Sequence, residues 1–574
     1  MVLPTAEPGY QSRRKRLQKR YQALLAERSS WDTVNADIAD HLAPGHARFI
    51  PTDRNRGERR DTKIYDDTGG EAARVLEAGM MSYGTSPARD WFAFGIPDKD
   101  LQESYAVKVW LQDAAREVRD AFNRSNVYQV LPHIYRSESA FGTACAILTE
   151  DEETDIHLYP VTVGQFVLAQ DHRWRVNTMF REFEMTLDQV VRRWGLPAVS
   201  QKLRVAYERD ANYELPVVVC HAIEPREVRD IGSDAARHMP WMSVYYEKGC
   251  DENNEQVLSE SGFEEFPVIA PRWDIDGGDV YGSGPGRMAL GAIKSLQHMQ
   301  YSLAVAVDKG LDPPLELPTE LKGQEGETNP GGRFYHDRTS PHGGIRSIYE
   351  TPFQVEPMQA IIDDRRRQIR RFFHADLFQM LEGISDTTAR TKFELQIRRE
   401  ETLQLLGPVY TRQTEELHRP LVEQTFRILQ RRGKIRPHPP ELDGQSLGVE
   451  FVSILAQAAK SVGISSMQTY AIALGQIAAL GNGKEQILDR LDEDAYADEI
   501  ADMAGVPLRV VRPLDVANEL RMTRNEAMKA KEQQAAAAEQ AKIASDLGNT
   551  PTGEPNALTD VMSQLQGYGY PQPA

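Results

Sequence analysis

The chain has 574 residues, of which 40% are hydrophobic and 26% charged, with a formal net charge of −18. That length can bury large cores and is expected to form more than one structural region. Cys145, Cys220 and Cys250 lie far apart, which excludes a disulfide framework or a CxxC zinc site, and no run of about eighteen apolar residues offers a membrane span.

From the N-terminus, no secretory signal is expected. Arg13, Arg14, Lys15, Arg16, Lys19 and Arg20 open a helix that continues amphipathically to Leu42 and stops at Pro44-Gly45. The cluster suits DNA, acidic neighbours or a solvated helix end. Arg54, Arg56, Arg59 and Arg60 form a second, loop-like cluster with the same alternatives. Glu71–Tyr83 reads as helix, and Ser104–Ser125 more strongly so. In the latter, Val107, Trp110/Leu111, Ala114, Val118 and Ala121/Phe122 fall on one stripe, as a core-facing helix requires.

From Thr143 to Arg272 the period turns to that of strands. The candidates are Ala144–Leu148, Ile156–Val161, Gln165–Ala169, Val176–Glu184, Val217–Ile223, Met242–Tyr246 and Glu265–Ala270. Thr186 with Gln189 predicts a capping box and a short helix among them. Glu150 to Asp155 carries five carboxylates in six residues between two strands. Such a set can bind metal or do acid–base work, or simply face water at a hairpin tip. Asp274-Ile-Asp-Gly-Gly-Asp279 resembles a calcium loop but lacks its third ligand and its closing Glu, so a glycine-rich turn is expected.

Two long helices and an excursion follow. In the first, Ile293, Leu296, Met299, Leu303 and Ala306/Val307 recur every three or four residues, while Lys294, Gln297, His298 and Asp308 fall elsewhere. Pro285 suits its first turn, and Gly310 with Pro313-Pro314 stops it. The second is expected from Glu356 to Leu381, with Met358, Ile362, Ile369, Phe373, Leu377 and Met380 on its apolar side. Asp363 is spaced to pair with Arg367. Between them, Asp312–Gly344 holds eleven Pro or Gly in thirty-three residues and cannot continue either helix. A structureless segment of that length usually marks a function or an interface.

After a break over Leu381–Lys392, a helix is expected to reach Arg432, with kinks or short breaks at Gly407-Pro408 and Pro420 because each proline removes a backbone bond. Arg436-Pro-His-Pro-Pro440 reads as a linker and Val452–Leu480 as helix. Glu485–Asp502 carries eight acids against Arg490, a solvated face or, in a ring, an acidic collar. An Ala/Gln/Lys/Glu-rich helix is expected from about Thr523 to Ile543, then a flexible tail. No P-loop, nucleophile elbow or H-E-x-x-H occurs, so neither an enzyme nor a cofactor or metal is expected.

Tyr281-Gly-Ser-Gly-Pro-Gly-Arg-Met-Ala-Leu290, Asp312-Pro-Pro-Leu315 and Leu406-Gly-Pro-Val-Tyr410, in that order, resemble the head-to-tail connector (portal) proteins of short-tailed bacteriophages. The resemblance runs from about Tyr21 to Pro513. It implies an α+β subunit of a homo-oligomeric ring, usually of twelve, that passes DNA at one capsid vertex. By segment it implies a wing with mixed helices and antiparallel strands (1–280), stem helix 1 (281–311), a clip (312–355) and stem helix 2 (356–381). A tunnel loop and long kinked helix (382–440), a crown (441–522) and a C-terminal helix and tail (523–574) complete it.

Stem packing is assigned to Ile293, Leu296, Leu303, Ile362, Ile369 and Phe373. Clip docking is assigned to Gly323, Gly326, Gly331 and Gly332. Arg390 and Lys392 in the tunnel loop, and Arg366 or Arg370 on the second stem helix, would face DNA or pair between subunits. Implied partners are double-stranded DNA, the terminase large subunit, major capsid and scaffolding proteins, and tail adaptor and internal core proteins. The implied place is the virion, after assembly in the host cytoplasm. Another virion structural protein, such as a tail adaptor, or a nucleic-acid-processing enzyme would be the competing classes. Net acidity suits a conduit, since every phosphate contact is a hold that sliding must break, and it suits many cytosolic proteins equally well.

Overall fold

The computed structural model describes residues 13–50, 52–53, 57–102, 104–233, 235–249, 256–311, 315–316, 346–347, 355–382, 406–452, 470–476, 478, 491–497 and 514–548. Two compact units divide the chain at Val462/Gly463. The first begins with α1 (Arg13–His41), α2 (Thr68–Gly84), β1 (Phe92–Gly95), the short α3 (Lys99–Gln102), α4 (Tyr105–Arg124) and α5 (Val127–Phe141). The α4 stripe is buried as its spacing predicts: Val107, Leu111, Ala114, Val118, Ala121 and Phe122 all face the main core. Helix α5 escaped the periodicity reading because Pro132 and three polar residues (Ser137, Glu138 and Ser139) interrupt its buried face.

The strand region holds two antiparallel sheets. One is a meander of β4 (Phe166–Gln170), β5 (Val176–Thr186), β6 (Pro216–Pro225), β7 (Trp241–Glu247) and β8 (Ser259–Phe263). The other is ordered β3 (Asp155–Pro160), β2 (Ala146–Asp151), β9 (Val268–Ile269). Between β5 and β6 lie α6 (Leu187–Trp194) and α7 (Gln201–Glu208). Helix α6 starts on the expected capping box, with Gln189 N donating to Thr186 Oγ1 and Thr186 N donating to Gln189 Oε1.

Arginines of the N-terminal basic run and the one buried carboxylate of the acidic hairpin are paired within this unit. Helix α1 lies on the five-stranded sheet, with Leu17 buried among Val167, Phe180, Ala222 and Val244. Arg16 and Arg20 both reach the buried Glu224, at 2.9 and 2.6 Å, and Arg14 donates to the Glu247 carbonyl at 2.9 Å. The N-terminal basic run therefore meets acidic neighbours inside its own chain. At the acidic hairpin, Asp155 is buried at φ 73° and is paired by Arg124, Arg432 and Lys434. It ties β3 to the helix before residue 432, whereas Glu150, Glu152 and Glu153 are exposed, as a hairpin tip facing water requires.

The first long helix, α8 (Pro285–Leu311), has the expected limits. A two-residue antiparallel ladder, β10 (Leu315–Glu316) with β11 (Arg346–Ser347), brings together the two ends of the Pro/Gly-rich segment. The expected second helix is broken: α9 (Val355–Phe372) and α10 (Ala375–Glu382) meet at His374, whose φ is +51°. The turn lets Phe373, Ala375, Leu377 and Phe378 all enter the core, where none exceeds 5% exposure. A straight helix would set residues 373 and 375 about 200° apart. Asp363 does not pair with Arg367; Arg366 takes Asp363 and Arg367 takes Asp364.

Helix α11 (Gly407–Gln413) starts at Gly407-Pro408, a π-turn covers Thr414–His418, and α12 (Arg419–Arg431) follows. The irregularity predicted at Pro420 is this wide turn, which relieves the clash of the proline ring with the carbonyl four residues back, at Glu416. Strand β12 (Gly448–Phe451) pairs with β1 through Phe92 opposite Phe451. In the second unit, α13 spans Leu514–Gly548, longer than the alanine-rich stretch alone suggested.

Candidate functional site

The glycine run that opens α8 is a seat cut into the end of α5. Gly142, at φ +84°, ends α5 and would drive a β-carbon to 2.3 Å from the Gly282 carbonyl. A β-carbon at Gly284 would lie 2.4 Å from the Glu138 carbonyl, and one at Gly286 2.3 Å from that of Ala140. Only glycine allows backbone to lie on backbone this closely. Gly282 N donates to Thr143 Oγ1 at 2.8 Å, and the Tyr281 hydroxyl accepts from Leu168 N at 3.0 Å. The run therefore fixes where α8 leaves the body.

About three turns further on, α8 is pinned by Gln297. Its Oε1 accepts from Tyr65 N at 2.6 Å and Asp66 N at 2.9 Å, and its Nε2 donates to the Asp66 carbonyl at 2.8 Å. The Asp66 carboxylate accepts from Thr68, from Gln300 Nε2 at 3.1 Å, and from Arg366 Nε and Nη2 at 3.0 and 2.8 Å. Burial would raise the Asp66 pKa, but the Thr68 and Arg366 hydrogen bonds outweigh it and hold the carboxyl below its ordinary value. Asp66 thus locks α8, α9 and the start of α2 into one assembly.

Beside this lock lies an open cleft of about 840 Å³, lined by Asp67, Glu71, Arg74, Arg366 and Arg370 among others. Its cations are matched by acids: Arg74 with Asp67, Arg366 with Asp66, and Arg370 with Glu71 at 3.7 Å. The cleft is a mixed-charge surface, suited to transient polar contact. Among the described residues, no group of three or more His, Cys, Asp or Glu is placed to hold a metal.

Of the residues singled out from sequence, Ile293, Leu296, Ile362, Ile369 and Phe373 are buried in one core, and Leu303 is half-buried against it. Helices α8 and α9 pack together through them. Arg366 and Arg370 come to the cleft rim. Gly323, Gly326, Gly331, Gly332, Arg390 and Lys392 lie outside the described residues. Sequence reasoning set Gln297 off the working face, whereas it is 5% exposed. Nothing local signals this, because its partners are 231 and 232 residues away.

A second polar set surrounds the π-turn. The buried Arg272 takes Glu416 through Nη2 at 2.6 Å and Nε at 3.1 Å, and donates to Gln170 Oε1. Glu138 is fully buried, accepts from Gln413 Nε2 at 3.1 Å, and has its carboxyl pushed well above the ordinary range by burial and then by the Glu416 charge. His418 is neutral, pushed down to about 3 by burial, and bonds the Tyr135 hydroxyl at 3.0 Å. These groups fix the wide turn against α5.

A family model described as bacteriophage head to tail connecting protein matches residues 14–511. A probable portal protein of Bordetella phage BPP-1 is 40% identical over 558 residues, covering 97% of this chain and 99% of that one. A portal protein of Salmonella phage epsilon15 is 37% identical over 553 residues, covering 96% and 98%. A chain of a native gene transfer agent virion aligns over 79% of this chain and 98% of its own, at 12% identity and a TM-score of 0.32, too low to bear on the fold.

Proposed function

The chain belongs to the bacteriophage head-to-tail connecting proteins, and on that premise we propose how its parts serve a portal. The portal stands at one capsid vertex, and the genome is packaged and ejected through it. The observation that carries this is the match to two phage portal proteins over 97% and 96% of the chain and nearly all of theirs.

In our reading the subunits close into a ring, of twelve by the family pattern, around a DNA channel. Residues 1–280 form the wing, α8 and α9 with α10 form the stem, and residues 312–355 form the clip, pinched at its base by β10 and β11. Residues 382–440 supply the tunnel loop and a kinked helix, 441–522 the crown, and 523–574 a terminal helix and tail. Seating α8 on glycine and locking it through Gln297 and Asp66 gives the stem a fixed direction from the wing. A channel wall under load needs that rigidity.

The subunit does no chemistry of its own. Packaging energy comes from a separate terminase motor on the clip, whose large subunit is later replaced there by tail adaptor proteins. Major capsid, scaffolding and internal core proteins meet the ring during assembly in the host cytoplasm. Arg390 and Lys392 face DNA from the tunnel loop. Of the stem arginines, Arg370 is the freer to join them, since its acid lies at 3.7 Å against 2.8 Å for Arg366. Deleting residues 323–332 should leave rings intact and stop packaging in a purified system; undiminished packaging would refute docking at the clip.

A further inference from the structure

The hairpin joining β4 to β5 ends in His172-Arg173-Trp174-Arg175, and all four residues are exposed. Trp174 is 60% exposed and sits at φ +62°. A bulky side chain rarely adopts that conformation, and it persists only where the surroundings enforce it. Here they do. Trp174 N donates to the Asp171 carbonyl at 3.0 Å, while Asp171 Oδ1 accepts from Arg173 N and Arg175 N at 2.8 and 3.0 Å. From behind, Arg272 Nη2 donates to the Trp174 carbonyl at 2.9 Å, and Arg272 is 2% exposed and held by Glu416 at 2.6 Å.

An ion pair built on the buried Arg272 thus braces a strained backbone that displays an indole to solvent. The indole makes no ring contact among the described residues. Neither Arg173 nor Arg175 forms an ion pair among the described residues, although most arginines of the unit do. A tryptophan flanked by exposed arginines is the composition of an interface anchor. Bracing it in advance lowers the ordering cost of binding.

We infer that this tip clasps the adjacent copy of the net-acidic chain in the ring, with Trp174 as its apolar anchor and Arg173 and Arg175 as its charged grip. The inference rests on the ring reading above. Charge complementarity selects the occupant: the chain carries −18 overall, so each copy offers a basic tip an attractive field. A duplex sliding past is the poorer occupant, because a rigid cationic hook would hold phosphate that must move.

The test compares full-length wild type, Trp174→Gly and the Arg173→Glu/Arg175→Glu pair by native mass spectrometry over a dilution series. Trp174→Gly removes the indole but suits the positive φ, so it should leave the subunit's melting temperature unchanged or higher. Both variants should raise the subunit concentration at half-assembly at least tenfold. Rings that dissociate at the wild-type concentration in both variants would overturn the inference. So would rings of normal stability whose charge-reversed form has lost affinity for duplex DNA, since that assigns the tip to nucleic acid. A wild type that forms no ring at any concentration would overturn the portal reading itself.

Discussion

Replacing Gln297 by Leu removes the lock between α8 and the 65–68 segment while keeping an apolar side chain of similar size. Three backbone hydrogen bonds are lost, at 2.6, 2.9 and 2.8 Å. Tyr65 is exposed and its N–H can turn to water, so the loss there is small. The Asp66 N–H and carbonyl are buried and cannot. At ~1–3 kcal/mol for each unsatisfied buried group, and allowing for partial relaxation, the local loss is about 2–4 kcal/mol. With 1.4 kcal/mol per factor of ten, amide exchange at Asp66 should quicken roughly 30- to 700-fold. Hydrogen–deuterium exchange resolved to the 64–69 peptide reads this directly. Gln297→Glu keeps the acceptor for both N–H groups and should fall between wild type and Gln297→Leu. Exchange in Gln297→Leu within about threefold of wild type would refute the assignment of Gln297 as the pin.

Two further outcomes separate seat from surface. Gly284→Ala should lower the melting temperature sharply, because its β-carbon meets the Glu138 carbonyl at 2.4 Å and backbone must move, at about 2 kcal/mol or more. Gly291→Ala, within α8 and with nothing within 4 Å, should instead stabilise by about 0.5–1 kcal/mol. For Glu138, burial raises the folded pKa above the ordinary 4.5. Its contribution is therefore full below that value and is lost as pH rises toward the folded pKa, because only the unfolded chain ionises. Glu138→Gln cannot ionise in either state, so as pH rises from about 5 its melting temperature should gain on wild type until the folded carboxyl itself ionises; parallel curves would contradict a raised Glu138 pKa.

Elements whose signal is local in the sequence form where that signal lies. The α4 stripe, the β5 and β6 runs and the Thr186/Gln189 box each carry their signal within a few residues, and each formed as read. Strands β1 and β12 were not legible, because four residues become a strand only by finding each other across the chain, as Phe92 finds Phe451. The break at His374 is set by where Phe373 and Phe378 find space, which no periodicity encodes. The glycine run was visible as a turn, but its reason lies in the α5 carbonyls beneath it. Gln297 and Asp66 looked like ordinary polar residues, since a buried polar pin differs from a surface one only in its distant partners.

Everything proposed for the stem, the clip and the hairpin tip presupposes a closed ring. Electron microscopy of the purified full-length protein, viewed down its symmetry axis, tests that most directly. Annular particles of one subunit number, with a central opening that admits a DNA duplex, are expected. Single subunits at every concentration, or compact assemblies without a central opening, would contradict a closed ring.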